Sequence, residues 1–346
     1  MKILNKLVCT LVAGCLLSLP VIAQNTDEAT DMVKQGIALH NQGKYAEAIA
    51  KFNEVLKTDP AHAYANYEMG FSLYVSKKGK DAIPYLEKAI KSPGGNISAG
   101  AYALLASIYD EANDTKKAVD MYREVIRINP NYPQVYYNFG LTYFRNGQYQ
   151  AAESCAIEAI TQNPKNASSQ RLYALVNFHQ NKRMNALLGL CSFLLLEPTG
   201  PRAAEAYSNI QHILQGGVLA EDKRDTTLAL STEDEKEMKV FNVGIQLTTS
   251  SAKAKNLSGA DQLEFEFKNI IAFAAAQSEK KTDFTKTFFD KFFVDYLNKL
   301  ALSNSMPAFA HSVAAIKDSR EATWVKANPD QVTALAEWIK TTDRPL

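Results

Sequence analysis

The chain of 346 residues is close to electrically neutral, with 38 basic and 37 acidic side chains. Its 46% hydrophobic and 22% charged residues are typical of a folded globular protein and exclude a disordered or collagen-like chain. Because there is no excess of basic charge, no nucleic-acid partner is expected. Four cysteines in so long a chain exclude a disulfide-dense mini-protein.

The N-terminal segment has the pattern of a secretory signal peptide. Lys2 and Lys6 form a basic start, and the apolar run that follows, Leu7 to Leu19, is too short to span a bilayer core. The small side chain of Ala23 places the expected cleavage between Ala23 and Gln24. No later stretch is long and apolar enough for a membrane span. We therefore expect an exported protein, periplasmic or secreted, with no transmembrane segment after cleavage.

A second interpretation of this segment is a lipoprotein signal. The sequence from Val12 to Cys15 resembles a lipobox, which would place a diacylglyceryl anchor on Cys15. Lys6 lies close before it and leaves only a very short apolar region. The residues after Cys15 are apolar, whereas a lipoprotein usually has a polar tether there. We therefore favour the soluble exported form over the lipid-anchored form.

The first half of the chain contains a repeated pattern. Alanines recur at intervals of 34, 36, 34 and 34 residues, at Ala48, Ala82, Ala118, Ala152 and Ala186. Twelve residues before each alanine lies a small residue: Gly36, Gly70, Ala106, Gly140 and Ala174. Four residues after it lies a bulky residue in most units, with Ala156 as the exception: Phe52, Leu86, Tyr122 and Leu190.

This pattern, together with the prolines that close the units, resembles the tetratricopeptide repeat family. It covers roughly residues 29 to 200 in five units, at about 29–62, 63–98, 99–132, 133–166 and 167–200. The resemblance implies an all-α solenoid of antiparallel helix pairs, in which small residues allow the paired helices to approach closely. The pairs stack because none can bury its apolar face alone. Repeat two departs from the pattern by an insertion after Pro93, and repeat five is the weakest, with Asn177 at a usually apolar position.

The remainder of the chain predicts further helices without the 34-residue period. Residues 201–215 predict one helix that caps repeat five and completes a solenoid domain of residues 24–215. The polar segment 216–235 predicts a linker. Residues 236–346 predict a separate C-terminal helical domain, which shows no resemblance to a known family.

Two patterns are found in this predicted C-terminal domain. The sequence from Ser258 to Asp261 is typical of a helix cap. Further on, aromatic and leucine side chains from Phe284 to Leu300 recur at a spacing of three to five residues, which predicts the core of a small helical bundle. The alternative is that this stripe is a partner-binding or membrane-binding surface.

The sequence contains no motif that points to catalysis or to a metal. It lacks the glycine-rich nucleotide-binding motifs, the nucleophile elbow and a His-Glu-x-x-His helix. The five histidines have no paired ligand spacing, so neither a metal nor a cofactor nor a catalytic residue is expected. Cys155 and Cys191 are expected to be two separate buried thiols rather than a disulfide bridge.

The family resemblance also implies a concave groove that is lined by the first helix of each repeat. The aromatic and polar candidates at or beside the groove-facing positions are Tyr64, Tyr67, Phe71, Tyr74, Tyr137, Asn138, Phe144, Arg171 and Phe178. The family's clamp for a C-terminal carboxylate is absent, because its lysine and asparagine positions hold Val33 and Ile37. Aromatic side chains give a large contact area at a low entropy cost, which suits an extended peptide or a partner helix. The alternative is that they pack against neighbouring repeats or the C-terminal domain.

These observations together predict a non-enzymatic scaffold or assembly factor of the cell envelope that binds a protein or peptide. Two other functions stay open. Stacked tyrosines also suit glycan or peptidoglycan, and an enzyme site in the C-terminal domain would be indicated by a cleft that gathers acids and His311 with perturbed pKa values.

Overall fold

All regular elements are helices in the ranges that the computed structural model describes, residues 19–91, 95–216 and 232–344. Within these ranges no helix is both long and apolar enough to cross a membrane. The basic start of the predicted signal peptide, Cys15, Pro93 and most of the predicted linker lie outside the described residues. The chain divides into two compact units, Met1–Val135 and Tyr136–Leu346.

The described part of the first unit consists of three helical hairpins. The helices are α1 (Leu19–Asn41), α2 (Tyr45–Thr58), α3 (Ala63–Val75), α4 (Gly79–Ala89), α5 (Gly95–Glu111) and α6 (Thr115–Ile128). Contacts join α1 to α2, α3 to α4 and α5 to α6, and the first helices α3 and α5 also touch each other. These hairpins correspond to the first three predicted repeats.

The glycines of the repeat pattern allow the two helices of a hairpin to touch. A Cβ atom added at Gly70 in α3 would lie 2.5 Å from Leu86 Cδ2 in α4, closer than real Cβ contacts come. Gly36 in α1 faces the ring of Phe52 in α2 in the same way. Both large side chains are fully buried. Close packing therefore explains why a small residue recurs opposite a bulky one, which confirms the predicted hairpin geometry.

The turn between the helices of a hairpin needs one residue in the left-handed region. Gly43 (φ 76°) and Gly147 (φ 71°) occupy this place in two of the turns, where glycine is free of the Cβ penalty. Asn113 (φ 59°) and Asn181 (φ 57°) occupy it in two others, since asparagine tolerates this conformation better than most residues. These turns therefore share the left-handed backbone conformation even where the residue type differs.

The second unit continues the hairpins and then adds further helices. Its elements are α7 (Val135–Arg145), which starts at the boundary, α8 (Tyr149–Gln162), α9 (Ala167–His179), α10 (Arg183–Leu196), α11 (Pro201–Leu214), α12 (Thr232–Ala254), α13 (Gly259–Ser278), a π-helix π1 (Phe289–Val294), α14 (Asp295–Ala301), α15 (Met306–Ala314), α16 (Ser319–Ala327) and α17 (Pro329–Thr341). Helices α7 to α10 correspond to predicted repeats four and five, and α11 to the predicted capping helix.

The helices that follow the predicted linker share one core with the last repeats. Helix α10 contacts α12 and π1, and α11 contacts α12. One cluster of buried apolar side chains extends from Tyr149 to Leu335. The division between compact units therefore falls at residues 135 and 136, inside the predicted solenoid, and not at the predicted linker 216–235. The physical reason is α10, in which every residue from Ala186 to Leu195 is buried, so that other helices cover it on all sides there.

The predicted aromatic stripe forms much of this core. Phe292, Phe293 and Tyr296 are almost completely buried, which agrees with the prediction of a bundle core. Phe284, at the start of the stripe, is fully exposed instead. The predicted cap at Ser258 also differs in detail: α13 begins at Gly259, but the Ser258 side chain makes no cap hydrogen bond.

Candidate partner-binding surface

Four predicted groove residues of the first unit lie on one side of α3. Tyr64, Tyr67, Phe71 and Tyr74 are spaced by three or four residues, which places them on the same helix face. Tyr64 is 43% exposed, and the other three rings are half-buried. Helix α3 therefore carries these four side chains on one face, and their role in binding stays a prediction.

Three rings of this surface stack on one another. The rings of His40 and Phe71 have centroids 4.6 Å apart at an interplanar angle of 28°. Phe71 and Tyr67 follow with centroids 6.4 Å apart at 20°. We call His40, Phe71 and Tyr67 the ring ladder. His40, near the end of α1, is missing from the predicted set, although it lies 34 residues before Tyr74 and so occupies the same repeat position.

Hydrogen bonds and burial hold His40 in place. Its Nδ1 atom lies 2.8 Å from the hydroxyl oxygen of Ser72. Its ring also meets Tyr45 edge to face, with centroids 5.1 Å apart. Burial lowers the pKa of His40 below its ordinary value, so the imidazole is neutral at neutral pH. The ladder thus begins with an uncharged, fixed aromatic ring.

The other end of the ladder rests on the backbone of α5. A Cβ atom at Gly100 would lie 2.9 Å from Tyr67 Cε2, so only glycine leaves room for this ring. The pKa of Tyr67 is raised, first by burial and then by the neighbouring Tyr132 and Glu68. The Tyr67 hydroxyl is therefore protonated under all physiological conditions and can act as a hydrogen-bond donor.

Tyr74 is restrained by a polar contact. Its hydroxyl donates a hydrogen bond to Glu111 Oε1 over 2.7 Å. The pKa of Tyr74 is raised by burial and by this carboxylate. Tyr64 has the most exposed ring of the four predicted α3 residues, so it offers the largest free aromatic area for a partner.

A buried acid lies next to the ladder. Glu68 is only 8% exposed. Burial raises the pKa of Glu68 to about 7. The carboxyl group therefore changes its charge close to neutral pH, one residue away from Tyr67.

The predicted site residues of the second unit are placed less uniformly. Tyr137 and Asn138 are half-buried on α7. Phe144 packs against Tyr149 and His179, with ring centroids 5.7 Å and 5.2 Å apart.

Two further candidates are engaged with the protein itself. Arg171 forms an ion pair with Glu205 at 2.5 Å. Phe178 is 9% exposed and lies in the core, with its ring 5.8 Å from that of His212. Phe178 therefore packs inside the protein, which is the alternative given for these aromatic side chains. Its neighbours leave almost no ring surface for a partner.

The C-terminal histidine that was considered for an enzyme site has a local partner. His311 Nδ1 lies 2.6 Å from Glu321 Oε2, and the imidazole stacks on Trp324 with centroids 3.5 Å apart. The other oxygen of Glu321 accepts a hydrogen bond from the backbone N–H of Ala260. This carboxylate thus takes over the capping role predicted for Ser258 and links α13, α15 and α16.

Two cysteines lie in the described part of the chain. Cys155 and Cys191 are both free and buried. Burial raises the pKa of Cys155 to about 12 and raises that of Cys191 as well, so neither thiol ionises at neutral pH. No group of three or more histidine, cysteine or acidic side chains is arranged to hold a metal ion among the described residues.

Comparison with known proteins identifies the repeats. Models of the TPR repeat match residues 36–75 and 106–147, and a tetratricopeptide repeat model matches residues 137–191. These matches fall in the part of the chain that contains its helical hairpins, which is therefore similar to tetratricopeptide repeats.

The similarity to individual proteins is low in sequence identity and covers only part of this chain. The photosystem I assembly protein Ycf3 of Cyanophora paradoxa is 26% identical over 151 residues, which are 43% of this chain and 66% of that protein. The TPR repeat-containing protein MJ1428 of Methanocaldococcus jannaschii is 22% identical over 130 residues, 38% of this chain and 22% of that protein. The chain thus spans between about a fifth and two thirds of these relatives. Among solved structures, YrrB, a TPR protein with an unusual peptide-binding site, is 20% identical with a TM-score of 0.45 and covers 55% of this chain and 97% of its own.

Proposed function

We propose that this protein is a non-enzymatic scaffold or assembly factor that binds a protein or peptide partner through the ring ladder and the adjacent Tyr64. The observation that carries the proposal is the stack of His40, Phe71 and Tyr67 beside an exposed tyrosine. Fixed rings bury a large apolar area without losing much side-chain entropy on binding. The name of one relative, an assembly protein, is consistent with this role.

The form of the partner follows from the geometry of this surface. Phe71 and Tyr67 lie along one side of α3, and His40 of α1 stacks on Phe71, so the rings present a strip rather than a deep pocket. A strip of this kind fits an extended peptide or one face of a partner helix that inserts apolar side chains between the rings. The hydroxyl of the exposed Tyr64 at its edge provides a polar contact to the partner backbone.

The proposed place of action is the cell envelope. This part of the proposal rests on the predicted signal peptide with cleavage after Ala23. The mass of the mature chain tests it, because cleavage after Ala23 and lipid attachment at Cys15 give products of different mass. Fractionation of cells that carry a C-terminally tagged chain then shows whether the protein is periplasmic, secreted or membrane-attached.

Alanine variants of the surface test the binding role. Tyr64→Ala and Phe71→Ala should each weaken partner recovery by about tenfold or more, as expected for central aromatic contacts. The matched control is Tyr85→Ala, which removes a half-buried tyrosine from α4 instead of α3. Far-UV circular dichroism confirms that each variant is folded. Equal recovery with Phe71→Ala and Tyr85→Ala would argue against the ladder as the binding surface.

A second candidate ligand is a glycan. Near-parallel rings such as Phe71 and Tyr67 also stack against sugar faces, so the same surface suits cell-wall polysaccharide. Purified peptidoglycan and a protein extract of the envelope should therefore be offered in parallel to the wild type and to Phe71→Ala. Retention on the polysaccharide that depends on Phe71 would favour the glycan over the protein partner.

A further inference from the structure

A cleft opens in the second unit where the repeat hairpins meet the C-terminal helices. Its volume is about 150 Å³, and its lining residues include Glu153, Tyr173, Lys182, Glu237, Phe288 and Phe289. A space of roughly this size accommodates one ring-sized organic group. The sequence gives no direct signal for this cleft, because its walls come from segments that are far apart in the chain.

The floor of the cleft is aromatic and rigid. Tyr173 is 1% exposed, and its ring packs against Phe288 with centroids 6.1 Å apart. Phe288 in turn stacks on Phe292 at 5.1 Å and an angle of 10°. Phe289, which also lines the cleft, is the first residue of π1. Short π-helical segments occur frequently at functional sites, and here π1 begins at the cleft.

Two carboxylates line the walls of the cleft, and each accepts hydrogen bonds through only one of its two oxygens. Glu153 Oε2 accepts hydrogen bonds from Lys182 Nζ at 2.6 Å and from Gln180 at 2.9 Å. Glu237 Oε1 accepts from Lys281 Nζ at 2.7 Å. The second oxygen of each carboxylate has no hydrogen-bond partner within the described ranges. The lysine ammonium groups are thus already paired, while carboxylate acceptors are still available to a ligand.

The balance of charge around the cleft is negative. Among the side chains described as lining the cleft, the carboxylates of Glu153 and Glu237 stand against one ammonium group, that of Lys182. Lys281 pairs with Glu237 and also binds the buried Asp290 at 2.8 Å. Available acceptor oxygens, one excess negative charge and aromatic faces all favour a positively charged group over an anion.

We propose that this cleft binds an organic cation, with an ammonium or guanidinium group against Glu153 and Glu237. A short apolar stem lies on the ring of Phe288. The cation can be a free small amine, or it can be a lysine or arginine side chain of a peptide. Both sources have the same recognition chemistry, and only the second one connects the cleft to a macromolecular partner.

Calorimetric titration of the full chain tests this assignment. Pentylammonium chloride is the charged probe, and 1-pentanol is the neutral probe with the same carbon chain. The wild type should bind pentylammonium and should bind pentanol at least about tenfold more weakly, because only the charged head forms charge-assisted hydrogen bonds. The double variant Glu153→Gln with Glu237→Gln should weaken pentylammonium binding by about tenfold or more.

Matched controls separate the charge effect from a general change in the protein. Glu158→Gln removes an exposed carboxylate from α8 without touching the cleft and should leave pentylammonium binding unchanged. Tryptophan fluorescence shows that the variants are folded, since Trp324 and Trp338 both lie in this unit. No binding of pentylammonium to the wild type, equal binding of pentanol, or unchanged binding in the double variant would each overturn the proposal.

A second pair of ligands distinguishes the two sources of the cation. A short peptide with one central lysine is compared with the same peptide in which that lysine is acetylated. Glu153-dependent binding of the unmodified peptide alone assigns a protein side chain as the ligand, whereas binding of the free amine but not of the peptide assigns a small molecule. Failure here leaves the ring ladder in the first unit unaffected, because Phe71→Ala tests that surface independently.

Discussion

The tight contact between Gly70 and Leu86 allows a quantitative test of the hairpin packing. A Cβ atom at position 70 would lie 2.5 Å from Leu86 Cδ2 and 2.7 Å from Leu86 Cγ. Leu86 is fully buried, so it has no room to rotate away into solvent. Gly70→Ala therefore forces either the leucine or the two helices α3 and α4 to shift.

The sign of the effect distinguishes this account from helix propensity. Replacement of a mid-helix glycine by alanine ordinarily stabilises a helix by about 1 kcal/mol. Overpacking of a core costs about 1–3 kcal/mol. Because Cγ as well as Cδ2 is in the way, we expect the second effect to win and Gly70→Ala to lower the free energy of unfolding by about 1 kcal/mol. Leu86→Ala costs about 2–5 kcal/mol by itself, but the double variant should lose less than the sum of the two.

Urea unfolding with two probes measures this effect in the right part of the molecule. Both tryptophans of the sequence, Trp324 and Trp338, lie in the second unit, whereas far-UV circular dichroism reports on helices of both units. Gly70→Ala should move the dichroism transition more than the fluorescence transition. The control is Gly79→Ala at the start of α4, where a Cβ atom meets Ile108 at an ordinary 3.5 Å. If Gly70→Ala is as stable as Gly79→Ala, or if the double variant is additive, the packing argument is refuted.

Three further predictions concern buried polar groups. Burial raises the pKa of Glu68 from 4.5 to about 7, so the free energy of unfolding should fall as the pH rises from 4.5 to 7. Glu68→Gln should remove this slope and stabilise the protein above pH 7 by about 2 kcal/mol at most. Urea titrations at several pH values measure both effects. Iodoacetamide should label Cys155 and Cys191 only after unfolding, as peptide mass spectrometry can show, because burial raises both thiol pKa values. Arg344 is 8% exposed and has no carboxylate partner among the described residues. Arg344→Met should therefore leave the midpoint of thermal unfolding unchanged or raise it. Arg344→Ala should lower this midpoint, because packing is lost.

The repeat pattern predicts the hairpins because their packing is local and periodic. A small residue lies opposite a bulky one in the first two hairpins, so the requirement recurs in the sequence at Gly36 and Gly70. The capping helix was predicted at residues 201–215 and is found at Pro201–Leu214 for a similar reason: its proline start and glycine end act locally.

The packing of the last repeats against the C-terminal helices could not be predicted from the 34-residue repeat spacing. That packing depends on contacts between α10, which ends at Leu196, and the elements α12 and π1, which begin at Thr232 and Phe289. A sequence signal did exist, because the run from Leu187 to Leu195 is apolar on every helix face, whereas a repeat helix with one solvent-exposed side should be amphipathic.

The candidate site was predicted in part. The α3 residues lie together because helical spacing alone fixes their common face. Phe178 is buried instead, since its burial depends on how α11 packs against repeat five. His40 was missed because the projection considered aromatic groove residues from repeat two onward, although a histidine ring stacks as well as a phenylalanine ring.

Site-specific photocrosslinking tests the proposed binding surface most directly. A benzophenone side chain is placed at Tyr64 on α3 in one strain and at Tyr85 on α4 in another, and both proteins are irradiated in living cells. The proposal predicts a discrete crosslinked protein partner at Tyr64 that is absent at Tyr85 and is lost when Phe71→Ala is added. Crosslinks of equal yield at both positions, or a Tyr64 crosslink that persists with Phe71→Ala, would contradict it.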